Sequence, residues 1–363
     1  MPLKLVKGKT FPIGVDIGSG CLKLAQLRQA ESGYELLAAG SLNVPRAARG
    51  KLYDRLGFLS SALPTVLKTT EFHGRQCVLS LPAASTFVHH LQMPKVPPEN
   101  LISAIQMELQ GKLPCPVEDA VIRHVQAGDI MGDGEPKQEV IVAAVARSVL
   151  EAYLSICRRA GLDVVGVNIE ACAVVECFAH LFRRVGDQAR TIMFIDLGAS
   201  STQVVLSQGE KLVFARNLFR GEDQLDAAIA KGLGVPMEQA HSMRLDLVRT
   251  AGDGSAAREL YRCIDHELDA LCDELTQCLR YYETVFRGQS VERTIFVGGQ
   301  AYDKQLCQLI AQRLNVPAQV GDPLMRIKRI GGAGLCIGLD RREPQPDWAV
   351  AVGLSLGAGD AAA

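Results

Sequence analysis

The chain is poor in aromatic residues (5%), has a single tryptophan, and carries no excess of either charge: 39 Lys and Arg face 40 Asp and Glu, a net of -1. That balance offers no basic field for nucleic acid and no like-charged block that would serve as an interaction tail. No apolar run reaches the ~20 residues a membrane-spanning helix needs. Lys4, Lys7 and Lys9 make the N-terminus basic, but Phe11–Gly14 runs straight into Asp16. A signal peptide is therefore not expected, and Met1–Thr10 is expected to be a solvated, frayed end. The 11 cysteines stand singly, none with C-x-x-C spacing and none with a histidine placed to complete a zinc set. They are expected to be buried thiols of a reducing cytoplasm, without disulfides. His89 and His90 lack ligand partners and are expected on a surface or at a subdomain interface; His266 falls on the polar face of a helix.

What is present is size and apolar content. With 363 residues, 48% of them hydrophobic, the chain can bury more than one core. Ile13–Ile17, Leu22–Leu27, Tyr34–Leu42 and Gln76–Leu81 read as strands, with a hairpin at Ser19-Gly20 and a helix over Leu56–Lys68. From Pro82 the character shifts. A proline-rich lead-in, Met93–Pro98, precedes a helix over Glu99–Leu109; Val121–Gln126 and Val140–Ala146 read as strands, and Ser148–Ala160 as a helix capped by Gly161. Residues 82–163 thus read as a small inserted α+β subdomain. Asn168–Arg184 is expected to be helical, Ile192–Ile195 and Gln203–Leu206 strands, and residues 221–286 mostly helical, with an amphipathic helix over Leu260–Tyr282. Thr294–Val297 reads as a strand and Lys304–Leu314 as a helix. After Ala349 the tail is small and apolar, with Gly359–Ala363 expected to be disordered.

One design occurs twice. Ile13-Gly-Val-Asp16-Ile-Gly18-Ser-Gly20 and Met193-Phe-Ile-Asp196-Leu-Gly198-Ala-Ser200 lie about half a chain apart. Each places a carboxylate at a strand end and follows it with a turn of small residues. Such turns let backbone N–H groups converge on an anion. Ser19, Ser200, Ser201 and Thr202 add hydroxyls, and Lys23 adds positive charge. Two such turns facing each other across a cleft would grip a polyphosphate from both sides, with Asp16 and Asp196 holding Mg²⁺ through waters. Phe296-Val-Gly298-Gly299-Gln300 adds a strand, a Gly-Gly turn and a helix, a surface on which adenine and ribose can lie.

These three elements resemble the two phosphate motifs and the adenosine motif of the actin, Hsp70 and FtsA superfamily. Gly14–Lys23 is similar to the opening of the PilM family of type IV pilus assembly proteins. Arg220-Gly-Glu-Asp-Gln-Leu225 resembles that family's Gly-Gly-Glu-Gln-Leu segment, with Glu222 in place of the second glycine and Asp223 in the acidic place. Tyr281-Tyr282 and Trp348–Leu354 resemble it too, so the likeness spans residues 11 to 356.

The resemblance implies an α/β actin-like ATPase fold: two RNase H-like halves around a nucleotide cleft, with an inserted FtsA-type 1C subdomain. Subdomain 1A would take residues 11–81 and 164–190, 1C residues 82–163, 2A residues 191–220 and 288–356, and 2B residues 221–287. ATP and Mg²⁺ would meet Asp16, Gly18, Ser19, Gly20, Cys21 and Lys23 from one half. Asp196, Gly198, Ala199, Ser200, Ser201 and Thr202 would meet them from the other. Gly221, Glu222, Asp223 and Gln224 would border ribose and base, and Gly298, Gly299 and Gln300 the adenosine. Glu170 would be the general base; the other reading of it is a helix N-terminal Glu favoured by the helix dipole. The implied partner is the cytoplasmic N-terminal peptide of a PilN-like inner-membrane protein, bound near 1A and 1C. The protein would then sit at the inner face of that membrane through its partner, with self-association left open. Nucleotide would act as a switch, with slow hydrolysis or none. The alternatives are a sugar or acid kinase of the same superfold, for which Asp129 and Asp133 are the nearest catalytic candidates; an FtsA-like filament former; and the cytoplasmic part of a GspL-like secretion protein.

Overall fold

Strand-forming residues cluster around each Asp-x-Gly motif, and each cluster nucleates a sheet of the same plan. A computed structural model describes residues 8–31, 33–132, 134–182, 186, 188–250, 254–287, 289–329 and 343–357. The first half contains β1 (Ile13–Ile17), β2 (Cys21–Ala30), β3 (Gly33–Asn43), α1 (Leu52–Thr69) and β4 (Gln76–Ser80). An insertion follows with β5 (Phe87–Pro94), α2 (Pro98–Glu108), β6 (Ala120–Gly132) and β7 (Glu135–Ala146). The first half then resumes with α3 (Arg147–Arg159), β8 (Asp163–Asn168) and α4 (Glu170–Ala179). The second half has β9 (Thr191–Leu197), β10 (Thr202–Gln208), β11 (Lys211–Leu218), the helices α5 (Glu222–Leu233), α6 (Met237–Thr250) and α7 (Ser255–Val285), then β12 (Val291–Val297), α8 (Lys304–Leu314) and β13 (Ala318–Val320). Strand β14 (Ile327–Arg329) and helix α9 (Ala349–Gly357) close the described chain.

The two large sheets run β14-β3-β2-β1-β4-β8 and β11-β10-β9-β12-β13. In each, the central strand pairs antiparallel with the strand after it and parallel with the strand that follows the next helical segment. Register carries the likeness to single residues: Asp16 lies opposite Lys23 and beside Ser80, and Asp196 lies opposite Gln203 and beside Val297. The insertion forms its own sheet, β5-β7-β6.

Helices α4 and α9 lie between the halves, their apolar residues packed with side chains from both sheets in one core. Small residues make this possible. A methyl group at Gly353 of α9 would fall on the carbonyl oxygen of Ala173 in α4, and one at Gly14 of β1 would fall on that of Ala351. Ser355 of α9 accepts from Leu27 N (3.1 Å) and donates to Pro12 O (2.8 Å), fastening the helix to the first sheet.

Several elements differ from the sequence expectations. The stretch after Ala349 is this buried helix rather than a tail, because its small residues let it pack on all sides. The helix expected from Asn168 starts at Glu170, and residues 163–168 are the edge strand β8; their alternating exposure shows period 2, which the apolar count hides. Strands β5 and β11 lie in stretches where no strand was expected. Helix α3 buries Tyr153, Ile156 and Cys157 in a cluster with α1 and β1 residues, so its core is that of the first half, with Val145 of β7 packed at its margin. His90 sits where that inserted sheet meets the second half: Nδ1 is 2.7 Å from Glu139, Nε2 is 3.1 Å from Ala215 O, and the ring stacks on Phe214. Lys9 and Thr10 are not frayed: Gln29 N donates to Lys9 O (2.8 Å) and Thr10 bridges to Arg28. Lys4, Lys7, Arg184, Asp133, Cys336 and Gly359–Ala363 lie outside the described residues; the ten described cysteines are free.

Gly353→Ala is expected to push α4 and α9 apart and to cost about 2–3 kcal/mol in equilibrium urea unfolding, the range of overpacked cores. An unchanged midpoint would show that the helices separate without strain.

Candidate functional site

The hairpins β1–β2 and β9–β10 point toward each other because their sheets are related as mirrored halves about α4 and α9. They meet. Ser200 N donates to Ser19 Oγ (3.2 Å), and a Cβ on Gly20 would lie 2.7 Å from that of Ala199. The two turns also share one internal geometry. A Cβ at Gly18 would lie 2.8 Å from Cys21 O, and one at Gly198 would lie 2.7 Å from Ser201 O. Any side chain would break the turn, so glycine is required three residues before each of those carbonyls.

Beneath the turns lies a cavity of about 600 Å³ between the halves, within the size range of small-ligand sites. Asp16, Asp196 and Glu170 line it together with Lys23. Burial drives the Asp16 carboxyl up to about 7; Lys23 pulls it down, and Asp196 pushes it up further. Asp196 rises to about 6, again chiefly by burial, with Lys23 lowering and Asp347 raising it. Glu170 rises well above the carboxylate range through burial first, then Asp16 and Asp196. Burial alone would lower the Lys23 ammonium, but Asp347, 3.3 Å away, and the neighbouring acidic groups hold it above its ordinary value. Three clustered acids with one cation, itself claimed by Asp347, form a site short of positive charge. Gln203 donates to Glu170 (3.4 Å) and Asn217 (2.8 Å), while its buried Oε1 has no hydrogen-bond partner. Both facts fit a bound divalent cation with its hydration shell.

Gly298, at φ +87°, has no room for a side chain because Asp196 fills the place of its Cβ. With Gly299 and Gln300 it forms the far wall of the cavity, facing Glu238, Ser242 and Leu245 of α6. Of the residues expected at the site, Asp16, Gly18, Ser19, Gly20, Cys21, Lys23, Glu170, Asp196, Gly198, Ala199, Ser201, Glu222, Gly298, Gly299 and Gln300 line this cavity.

Ser200, Thr202, Gly221, Asp223 and Gln224 are not among its lining residues. Thr202 is fully buried and donates to Arg220 O (2.7 Å). Gly221 packs 2.7 Å from the Ala199 and Gly198 carbonyls at its Cβ position, and its N–H is capped by Gln224 Oε1 (2.8 Å). Ser200 donates to Asp223 (2.7 Å), which turns to arginines rather than into the cavity. Cys21 is an inert thiol, raised by burial.

The residues that sequence reasoning missed are charged. Asp347 pairs with Lys23 and accepts from Tyr302 (2.7 Å). Arg46 and Arg49 follow β3 and reach α5 across the cleft. Arg55, buried in α1, donates to Gly18 O (3.1 Å) and Arg49 O (2.9 Å) and so holds the first turn to that loop. The basic pair Arg46 and Arg49 at i, i+3 directly after a strand was the one visible signal. Asp129, the candidate for a kinase site, makes an exposed ion pair with Lys95 (2.7 Å) and does not line the cavity.

A model of the family described as type IV pilus assembly protein PilM matches residues 14–358. Among solved structures, the PilM-PilN type IV pilus biogenesis complex is similar with TM-score 0.79 at 22% identity, over 96% of this chain and 98% of that one. The ethanolamine utilization protein EutJ from Carboxydothermus hydrogenoformans gives TM-score 0.54 at 14% identity, over 95% and 89%. MreB5 of Spiroplasma citri bound to ADP gives 0.50 at 10%, over 95% and 94%. The fold is the actin-like α/β fold.

Raised carboxyl pKa values make a pH prediction. Asp16 and Asp196 hold protons in the folded state at pH values where the unfolded chain has lost them. Their contribution to stability is full below about pH 4 and is lost as pH rises through 6 to 7. The ligand-free protein is expected to lose on the order of 3 kcal/mol between acidic and mildly alkaline pH. The double variant Asp16→Asn, Asp196→Asn should flatten that slope in denaturant titrations. Glu170 leaves some slope in the variant; a slope as steep as that of the native chain would contradict the assignment.

Proposed function

The chain belongs to the family of type IV pilus assembly proteins PilM, and from that membership we propose that it is an ATP- and Mg²⁺-binding assembly protein of the pilus inner-membrane platform, docked at the cytoplasmic face of the membrane by the N-terminal peptide of a PilN-like protein. The observation that carries the nucleotide reading is the meeting of two equivalent glycine turns over three clustered acids, the buried Asp16 and the half-buried Asp196 and Glu170. Bound there, ATP would supply the triphosphate and Mg²⁺ the positive charge that these acids lack. Backbone N–H groups of Gly18–Cys21 and Gly198–Ser201 and the hydroxyls of Ser19 and Ser201 would bind phosphate oxygens. Lys23 would neutralise phosphate charge, and Asp16 and Asp196 would hold the cation through waters. Gly298, Gly299 and Gln300, opposite α6, would take the adenosine.

Glu170 at the same floor is proposed to accept a proton from an attacking water. Burial and the neighbouring Asp16 and Asp196 raise its pKa in the ligand-free protein, and Arg55 opposes them. Slow hydrolysis, or none, would suit a switch that shifts populations rather than a metabolic enzyme. Among the described residues no helix is long and apolar enough to cross a membrane; attachment is proposed through the partner.

The peptide's place is proposed in a second groove of about 340 Å³ between the inserted sheet and the first half. Val121, Val125, Ile141 and Val145 line one side, and Val167, Ile169 and Cys172 the other, with Arg123 and His124 as polar handles. Both β6 and β8 are edge strands of their sheets. Val165 and Val167 on β8 are exposed. An extended apolar peptide could add to such an edge and bury them. The PilM-PilN complex is the solved structure of matching shape.

Calorimetry with Mg²⁺ and ATP should detect binding, and Asp16→Ala or Asp196→Ala should abolish it while leaving the fold intact. Undiminished affinity in both variants would remove the site assignment. Glu170→Gln should slow turnover and spare binding; equal turnover would reject it as base. Val167→Asp should weaken capture of the partner's N-terminal peptide by at least about tenfold, or 1.4 kcal/mol. Unchanged capture would move the peptide elsewhere.

A further inference from the structure

Arg49 lines the nucleotide cavity, yet its guanidinium is held by a carboxylate of the opposite half. Nη1 lies 2.8 Å from Asp223 Oδ1 and 3.6 Å from Glu222. It also stands beside the first glycine turn: a Cβ on Gly20 would be 3.9 Å from Arg49 Nη2. Asp223 Oδ1 takes a second arginine as well, Arg46 Nη1 at 3.0 Å, and Asp223 Oδ2 accepts from Ser200 of the second turn (2.7 Å). One carboxylate thus satisfies two arginines and a turn hydroxyl at the point where the two phosphate turns meet. Those are the donors an oxyanion of a polyphosphate would take.

We propose that Arg49 is a phosphate-binding residue and that Asp223 is an internal competitor, an anion that occupies Arg49 until nucleotide phosphate displaces it. The inference rests on the nucleotide reading above. Lys23, proposed above to meet phosphate, is shared with Asp347, so the triphosphate would draw on a further positive group.

Two features single out Arg49 over Arg46. Arg46 is anchored at its other nitrogen by Asp226, whose side chain is fully buried, so moving it would strip a partner from a buried charge. Arg49's main partner Asp223 is partly exposed, at 25% of its side chain, and keeps Arg46 and Ser200 when Arg49 leaves. Release therefore costs little. Guanidinium geometry also favours the exchange, because carboxylate and phosphate present oxygens to the same fork. The trade makes the clasp between the loop after β3 and α5 depend on what fills the cleft.

The test is a double-mutant cycle on Mg-ATP affinity by calorimetry, with thermal melting of every variant. Arg49→Ala should weaken binding about tenfold, the size of one charge-assisted contact. Arg49→Lys, which keeps charge but loses the fork, should fall between it and the native chain. Asp223→Asn should tighten binding by about threefold, because the competitor is removed, and should have no effect once Arg49 is Ala. Affinity within twofold of native in Arg49→Ala overturns the proposal, as does an Asp223→Asn variant that binds as weakly as Arg49→Ala. If the native chain binds and Asp16→Ala does not, while Arg49→Ala is silent, only this inference fails. If the native chain binds no Mg-ATP, the nucleotide reading fails and this one falls with it.

Discussion

Asp16 is buried and Asp196 half-buried at the ends of equivalent strands, and the charge around them does not balance. Burying an acid costs stability unless a partner offsets it. Here the nearest cation, Lys23, is shared with Asp347, and Glu170 adds a third acid to the same floor. A core built for stability alone would not keep this cluster. The cluster is held in place because register fixes both aspartates: Asp16 lies opposite Lys23 and Asp196 opposite Gln203, and each is followed by a glycine turn. The fold therefore sets up a cavity that a divalent cation and phosphate would relieve.

The second constraint is how tightly the halves are joined. Helix α9 approaches α4 and β1 so closely that Gly353 and Gly14 cannot carry side chains, and this contact is the tightest join at the core between the halves. Away from this join, the halves touch through polar groups that can exchange partners: Arg46 and Arg49 with α5, and Ser19 with Ser200. The inserted sheet reaches the second half through His90, Glu139 and Tyr281, whose hydroxyl donates to Glu139 at 2.7 Å. The same face of that sheet, at Val121, Arg123, Val125, Ala143 and Val145, lines the proposed peptide groove.

Much of this was legible in the sequence where chemistry and local geometry coincide. The paired Asp-x-Gly motifs and the Gly-Gly turn follow from residue types whose local conformation is dictated by sterics, Glu170 came from the family resemblance, and all of them fall around one cavity. What was not legible is tertiary. Thr202, Gly221 and Gln224 are used to build the second turn and cap α5, a division of labour that no spacing reveals. Asp223 was placed at the ribose because it stands in the acidic position of the family's Gly-Gly-Glu-Gln-Leu segment; here two arginines from 170 positions away or more claim it. Strand β8 and helix α9 were misread because short apolar stretches carry too few turns of any period to choose between helix, strand and tail. Only their packing against α4 and β4 settles them.

The most direct measurement is a crystal structure with Mg²⁺ and a non-hydrolysable ATP analogue. The account expects the phosphates between Gly18–Cys21 and Gly198–Ser201, with the cation over Asp16 and Asp196. A nucleotide bound outside this cavity, or a cavity left empty at saturating analogue, would contradict it.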